Sequence, residues 1–301
     1  MDKNIKASKV GSDRSPDRRT EGQFAEWVGR TETSDDVVTI APITGLSATL
    51  DRDDRMPLKG DALPPLWHWL YFLPRARHSA IGPDGHAARG GFLPPIALPR
   101  RMWAGGRLTW QAPLAVGDEI RRVSRIESIS QKEGKSGTLA FVLVRHEISN
   151  PAGLALTEEH DIVYRSEPEP GAVPPAPSQA PRDEAWSRRI DPDEVLLFRY
   201  SALTFNAHRI HYDRRYVTEV EHYPGLIVHG PLIAMLLVDL LRRNRPDATL
   251  AAFSFRALSP LFDGAPFYVC GRPDGQNGVA LWARNAEGGL AMQASAEVVS
   301  T

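Results

Sequence analysis

The nine residues "FNAHRIHYD", numbered 205 to 213, concentrate side chains that can move protons or bind anions. The polar members are Asn206, His208, Arg209, His211 and Asp213. Histidine, with an ordinary pKa of about 6.5, can accept and return a proton near neutrality. The segment therefore has the composition of an acid–base site, and the rest of the chain must supply the elements that position it.

A buried helix is predicted shortly after this segment, in "HGPLIAMLLVDLLRRN" at residues 229 to 244. Pro231 stands just inside its start, two arginines lie in its last turn, and Asn244 followed by Pro246 ends it. Apolar residues occur on nearly every side, and such a helix must be buried. Because the first amides of a helix carry a partial positive charge, Gly230 is a candidate donor to a developing negative oxygen.

Two turn patterns occur twice in the chain in the same order. The stretches "LTWQAPLAVGDEI" and "FSFRALSPLFDGAPF" each place a proline, three residues and a glycine after an alternating strand. Further on, each half has a hairpin, at "NPAG" and at "AEGG". Shared turn chemistry of unrelated sheets is the alternative explanation, but the two features together favour a duplication.

The second half predicts one buried helix followed by four alternating strands. These strands are "LAAFSFRALSP", "APFYVCGR", "GVALWAR" and "GLAMQASAEVV". The first half has similar strands but a less regular helix region, with "ITGLSATL" followed by "PPLWHWLYFLP". In that aromatic run Trp67, Trp69 and Tyr71 alternate as in a strand, and we expect them in the core. The predicted fold class is α+β: a double hot dog, with two antiparallel sheets, each around a central helix, joined into one sheet.

The boundaries follow from composition. The segment "SEPEPGAVPPAPSQAP" contains six prolines and almost no large apolar side chains, which is typical of a linker. We predict a charged disordered tail at 1–22, a non-catalytic N-terminal hot dog domain at 23–165, a proline-rich linker at 166–185 and a catalytic C-terminal domain at 186–301.

The 301 residues carry a net charge of −1, so no broad positive field exists to hold nucleic acid or an anionic membrane. No apolar run approaches the roughly 20 residues that span a bilayer. The single cysteine, Cys270, excludes an internal disulfide and is expected in the core. A cytoplasmic protein is the expectation.

The segments "SALTFNAHRIHYD" and "YPGLIVHGPL" resemble the active-site region of the MaoC-like enoyl-thioester hydratases. The usual pattern there ends in asparagine, proline, an aliphatic residue and histidine. An aspartate stands two residues before that asparagine. A histidine-glycine pair opens the central helix downstream. His211 and Ile210 match that pattern, whereas Arg209, His208 and Asn206 stand where proline, asparagine and aspartate are usual.

These departures resemble a subgroup of double hot dog proteins akin to type 2 hydroxyacyl-thioester dehydratases, which includes mesaconyl-C4-CoA (3-methylfumaryl-CoA) hydratases. The stretches "WVGRTE", "LPPLWHWLYFLP" and "DGHAARGGFLPPIALPRRMWAGGRL" resemble the first domain of that subgroup. The resemblance extends over about residues 24 to 300.

The resemblance implies addition of water to an α,β-unsaturated acyl thioester, or its reverse. This reaction needs a base at the attacking oxygen and donors at the thioester oxygen. We assign His211 as base, Asn206 as a ligand of the same water, and Asp213 as the group that orients the imidazole. The supporting residues are His208, His229, which shapes the helix start or touches substrate, and Gly230.

The sequence offers three candidate substrate contacts. Arg209 is either a clamp for a carboxylate on the acyl group or a surface residue. Tyr223 and Arg256 are the other predicted contacts. Arg100 and Arg101 could reach CoA phosphates, although solvated surface is the simpler expectation for them.

No metal or cofactor is expected, because no third ligand at a recognised spacing accompanies His208 and His211. The expected partners are an acyl-CoA substrate and a second copy of the chain in a homodimer. The implied reaction is hydration of mesaconyl-C4-CoA to citramalyl-CoA. The alternatives are another acyl chain such as itaconyl-CoA, a hot dog thioesterase, and a non-catalytic acyl-thioester binding module.

Overall fold

The computed structural model describes residues 24–134, 137–167 and 175–300. The predicted tail at 1–22, and residues 168–174 of the predicted linker, lie outside this part of the chain. Within it, no helix is both long and apolar enough to cross a membrane. The strands are β1 (Thr31–Val37), β2 (Arg100–Trp110), β3 (Glu119–Gly134), β4 (Gly137–Asn150), β5 (Gly153–Arg165), β6 (Trp186–Ile190), β7 (Ala248–Ala257), β8 (Phe267–Asp274), β9 (Gly278–Asn285) and β10 (Leu290–Ser300).

Four α-helices and four 3-10 helices accompany the strands in the described part of the chain. The α-helices are α1 (Ile40–Thr49), α2 (Glu194–Leu203), α3 (Arg214–Glu219) and α4 (Gly230–Asn244). Short 3-10 helices span Ala25–Trp27, Trp67–Leu70, His78–Ala80 and Arg209–His211.

All ten strands form one antiparallel sheet in the order β1-β3-β4-β5-β2-β7-β10-β9-β8-β6. Each half contributes five strands in the same relative order, and β2 and β7 pair at the centre, from Gly105 opposite Arg256 to Thr109 opposite Ala252. The predicted double hot dog with one continuous sheet is confirmed.

The repeated turns also have the same hydrogen bonds. After β2, two successive amides donate to the Ala155 carbonyl, and after β7 two successive amides donate to the Ala291 carbonyl, all at 2.8 to 3.2 Å. The glycines of the repeated turn, Gly117 and Gly264, have φ of 94° and 80°, which glycine adopts without a steric cost. The duplication inferred from sequence therefore extends to the backbone.

The first half contains a shortened counterpart of α4. The Leu63 amide donates to the Leu114 carbonyl at 2.7 Å, just as the Val228 amide donates to the Leu261 carbonyl at 2.9 Å before α4 begins. Counting forward from these equivalent positions, the 3-10 helix Trp67–Leu70, which we call the aromatic turn, occupies the place of residues 232–235 in α4.

The aromatic turn corrects the expectation of a strand-like stretch. Leu66 precedes it in the left-handed region, with φ of 70°, and Phe72 follows it with φ of 55°. These two reversals confine the chain to a single helical turn. Trp67 and Tyr71 are nevertheless buried, 2% and 4% exposed, as expected of core residues.

Helix α4 is buried from Leu232 to Leu241 and contains one buried charge that the apolar pattern did not predict. Asp239, 1% exposed, binds Arg52 at 2.5 Å, Arg188 at 2.8 Å and Arg243 at 2.7 Å. Because Arg52 belongs to the first half, this cluster fastens α4 to the opposite half of the molecule.

Candidate active site

The segment 205–213 lies between α2 and α3, and it brings His211 against the chain that enters α4. The His211 Nδ1 is 2.7 Å from the Ile227 carbonyl oxygen. Since a carbonyl only accepts, Nδ1 carries the proton and Nε2 keeps its lone pair in the neutral ring. Burial lowers the pKa of His211 to about 4, so the ring is neutral at pH 7 and has the form of a base.

His229 packs directly on this base. The two rings are stacked with centroids 3.7 Å apart, and the His229 Nε2 is 2.8 Å from the Ser201 hydroxyl. Burial holds the pKa of His229 well below its ordinary value, so this ring is also neutral. Gly230 is the first residue of α4, and a Cβ built there would meet nothing within 4 Å. Its amide is one of the first helical amides, which have no intrahelical acceptor, and it directly follows His229 in the chain.

Asn206 does not present its carbonyl as expected. The Asn206 Oδ1 accepts a hydrogen bond from the His208 amide at 3.0 Å and closes a local turn. Asparagine side chains commonly bond to the backbone two residues further on. The predicted water contact would have to use the remaining lone pair or the amide nitrogen.

Asp213 does not orient His211, so this part of the sequence interpretation is wrong. Its carboxylate caps α3 by accepting from the Tyr216 amide at 3.0 Å, and it also accepts from Arg209 at 2.7 and 3.0 Å. The cap bond is local and holds the carboxylate at the start of α3. The Ile227 carbonyl is the group that orients the imidazole.

Arg209 is not a free clamp for a substrate carboxylate. Besides its bonds to Asp213, its Nη1 donates to the Pro83 carbonyl at 2.9 Å, and its guanidinium lies 4.1 Å from the centroid of the Tyr216 ring. The anion that its charge requires is thus already supplied within the chain. Asp213, four positions further on, takes the place that the sequence assigned to an anion of the substrate.

A turn from the first half packs against the segment 205–213, which we call the catalytic loop. Gly85 has φ of 92°, and a Cβ there would lie 1.7 Å from the Ala207 carbonyl oxygen, so only glycine permits the contact. The Arg209 amide donates to the Asp84 carbonyl at 2.9 Å. Next in the turn, the His86 Nδ1 is 2.9 Å from the Asp84 carboxylate. The sequence interpretation missed this pair.

Four histidine rings form a row through the site. The centroids of His86 and His208 are 4.0 Å apart, those of His208 and His211 are 5.5 Å apart, and His229 completes the row. Burial, and then the neighbouring charges of His86 and His211, lower the pKa of His208 to about 2. The row joins the two halves of the molecule across the loop.

The same region contains a possible metal-ligand set. Potential ligand atoms of Asp84, His86 and His208 all lie within 4.8 Å of one another. Asp84 and His86 lie in the first half and His208 in the second, so no sequence spacing links the three. In the structure the His86 Nδ1 is already hydrogen-bonded to Asp84, so that nitrogen is not free for an ion.

The two remaining predicted contacts lie in different places. The Tyr223 hydroxyl accepts from Arg100 at 2.9 Å, which places it at the seam between the halves. Arg256 is exposed, whereas its neighbour Phe255 faces the core, so alternation places Arg256 on the opposite face of the sheet. The structure does not bring Arg256 to the catalytic loop.

Arg101 is the cation on the loop side of the sheet. It pairs across the strands with Tyr164, which is 1% exposed, so both side chains lie on the inner face. The positive charge of Arg101 contributes to lowering the pKa of His208. Among the described residues no carboxylate forms an ion pair with Arg101, in contrast to Arg209 and Arg100.

Comparison with known proteins places this geometry in a family. The family model for hydroxyacyl-thioester dehydratase type 2 matches residues 66–263. A mesaconyl-C4-CoA hydratase of Chloroflexus aurantiacus is 49% identical over 275 residues, which is 90% of this chain and 96% of that relative.

Solved structures agree on the fold. A MaoC-like dehydratase superposes with a TM-score of 0.69 at 16% identity, over 92% of this chain and 99% of the other. A Mycobacterium tuberculosis protein described as a double hot dog has a TM-score of 0.56 at 13% identity, over 90% and 96% of the two chains. The chain belongs to the type 2 hydroxyacyl-thioester dehydratase family.

Proposed function

We propose that the protein is a hydro-lyase that adds water across the C2–C3 bond of mesaconyl-C4-CoA to give citramalyl-CoA. The observation that carries the proposal is a neutral His211 with a fixed tautomer beside the first amide of α4. The 49% identity to a mesaconyl-C4-CoA hydratase supports the choice of substrate.

The site divides the work of hydration between a base and an oxyanion donor. The Nε2 of His211 takes a proton from water as the water oxygen bonds to C3. The electron pair of the C2–C3 double bond moves towards the thioester carbonyl, whose oxygen becomes negative. The Gly230 amide, at the positive end of α4, stabilises this oxygen. C2 then takes up a proton to complete the product.

The first half has no counterpart of the Gly230 oxyanion donor. Pro64 and Pro65 occupy the positions in the first half that His229 and Gly230 occupy in the second. Proline has no backbone N–H, so the first half lacks a donor where α4 has one. We therefore expect one catalytic site per chain, and titration with a tight substrate analogue should give one binding equivalent.

The substrate carboxylate requires a cation near C3, and Arg101 suits this role better than Arg209. A buried guanidinium costs desolvation free energy unless it meets an anion. Arg209 already meets Asp213, whereas Arg101 faces the loop without an ion-paired carboxylate among the described residues. A substrate with a carboxylate on C3 supplies the missing partner.

A spectrophotometric assay with mesaconyl-C4-CoA, itaconyl-CoA and crotonyl-CoA tests the proposal. We expect loss of the enoyl-thioester absorbance without release of thiol, fastest with mesaconyl-C4-CoA. Release of thiol would indicate a thioesterase instead. Binding without either change would indicate a non-catalytic acyl-thioester module.

The proposal includes a homodimer in the cytoplasm that works without a metal or cofactor. The buried free thiol of Cys270 is consistent with a reducing compartment. Sedimentation equilibrium measures the assembly. Activity that survives extensive chelation, at unchanged Tm, would support the absence of a metal.

A further inference from the structure

The catalytic loop supplies only one residue that can exchange protons freely. Asn206 stands where the usual MaoC-like pattern has aspartate, and an amide cannot take up and return a proton. Its oxygen is also engaged by the His208 amide. Hydration moves a proton at two places, the attacking water and C2, so a second acid–base group would complete the site.

We infer that His86, held by Asp84 and contributed by the first half, is that second acid–base group. This inference rests on the proposed hydratase function and adds a catalytic residue to it. His86 is the catalytic residue in this assignment, and Asp84 is a positioning residue.

The Asp84–His86 pair has the geometry of a catalytic dyad. Asp84 accepts from the His86 ring at 2.9 Å and from the His86 amide at 3.0 Å, which fixes the ring relative to the turn. The hydrogen bonds from His86 hold the pKa of Asp84 well below its ordinary value, so this carboxyl is ionised at neutral pH. A carboxylate on one ring nitrogen fixes the tautomer, directs the other nitrogen to the reaction and stabilises the imidazolium that forms.

The dyad is held against the loop by backbone and side-chain contacts between the two halves. Gly85 touches the Ala207 backbone, and the Arg209 amide and guanidinium donate to the Asp84 and Pro83 carbonyls, each at 2.9 Å. The side chains of His86 and Asp84 remain 29% and 38% exposed. The pair is therefore fixed in position but accessible from the solvent side of the site.

The proton balance closes with two histidines. His211 takes the proton that water loses when its oxygen bonds to C3. The imidazolium of His86 gives its proton to C2 as the enolate collapses. The proton on His211 then passes to His86, across the gap in which the His208 ring lies, so both rings end as they began. No further reactant is needed.

The test is a His86→Ala variant assayed with and without added imidazole. We expect kcat to fall by about 10²–10⁴-fold with KM close to normal. Because the site is open to solvent, free imidazole should enter and restore part of kcat, which a purely structural role would not allow. His78→Ala is the matched control, since His78 is exposed in the preceding 3-10 helix and should leave kcat unchanged. A His86→Gln variant, checked by circular dichroism and Tm, replaces His86→Ala if the latter does not fold.

Asp84→Asn tests the positioning role. Asparagine can donate to the ring and present the wrong tautomer, so kcat should fall while KM is retained and imidazole should not rescue. If His86→Ala turned over the best substrate as fast as the unmodified protein, the inference alone would be wrong. If the unmodified protein hydrated no enoyl-CoA, the proposed function and the inference would both fail. Stoichiometric bound zinc, with activity lost on chelation and no imidazole rescue, would overturn the dyad in favour of a metal site.

Discussion

The two halves of the sheet share a topology but differ on their inner faces. Matching the hairpins at Gly153 and Gly289 aligns the strands position by position. In the second half the inner face under α4 carries small or apolar residues: Gly271, Leu281, Ala294 and Ala296. In the first half the corresponding residues are polar: Ser124, His146, Glu158 and His160.

The polar residues of the first half form a buried network where α4 has no full counterpart. Glu158, 2% exposed, bonds to His160 at 2.7 Å, Trp69 at 2.8 Å and His68 at 3.0 Å. Burial opposes ionisation, but His160 and His68 outweigh it and hold the pKa of Glu158 well below its ordinary value. The inner face of the sheet is thus covered by helix α4 in the second half and by a polar network in the first half. The same strand topology accommodates both covering layers.

The largest difference between the halves is catalytic, and His211→Ala should remove it. Loss of the only base on the loop is expected to lower kcat by about 10²–10⁴-fold. Asn206→Ala, which removes the turn bond to His208, should cost much less, because backbone closure is its visible role. Steady-state kinetics with Tm controls measure both. Near-normal activity of His211→Ala would mean that the base lies elsewhere.

The comparison also shows what sequence patterns can reveal. The four strands that follow α4, α4 itself and the composition of the catalytic loop follow from local periodicity and turn residues and were predicted, whereas β6 was not. The contact of Asp84 and His86 with His208 was not, because it joins segments that are distant in the chain. Arg209 was misassigned for a different reason: an ion pair with Asp213 and a clamp for substrate have the same local sequence.

The cluster that fastens α4 to the first half should contribute strongly to stability. Asp239→Asn leaves three arginines without their shared carboxylate, and breaking such a buried pair typically costs about 3–5 kcal/mol. Urea denaturation measures the loss. The control is Asp191→Asn, which removes an exposed pair with Arg189 and should change the free energy of unfolding far less than Asp239→Asn. Equal losses in the free energy of unfolding would show that the buried cluster stabilises the protein no more than an exposed ion pair does.

The network of the first half should be less costly to alter than this cluster. Glu158→Gln keeps the shape and part of the hydrogen bonding, so we expect a loss of about 1–3 kcal/mol. Glu159→Gln, one residue along and on the outer face with half-exposed Arg107, is the matched control and should cost less than about 1 kcal/mol. If Glu158→Gln were neutral in urea denaturation, the network would not substitute energetically for the missing helix.

Substrate preference distinguishes the two arginines that flank the loop. Arg101→Met should reduce the preference for mesaconyl-C4-CoA over crotonyl-CoA by about tenfold or more, the value of one lost charge-assisted hydrogen bond. Arg209→Met should slow both substrates alike, since its partner is Asp213. The ratio of kcat/KM values for the two substrates reports the difference. A larger loss of preference in Arg209→Met than in Arg101→Met would show that Arg209 binds the substrate carboxylate.

The smallest expected effect is the change in kcat/KM as the pH is lowered, and it tests whether burial lowers the pKa of His211. A base must be unprotonated, and burial lowers the pKa of His211 to about 4. At pH 5.5 such a base is still more than about 90% unprotonated, whereas a histidine with the ordinary pKa of about 6.5 would be only about 10% unprotonated. As pH falls from 7 to 5.5, kcat/KM should therefore change little on account of this group and should fall only towards pH 4. The kcat/KM profile, measured over times in which Tm shows the protein folded, tests this. A roughly tenfold decline already at pH 5.5, absent when the first-half residue His86 is replaced, would place the titrating group in the first half and not at His211.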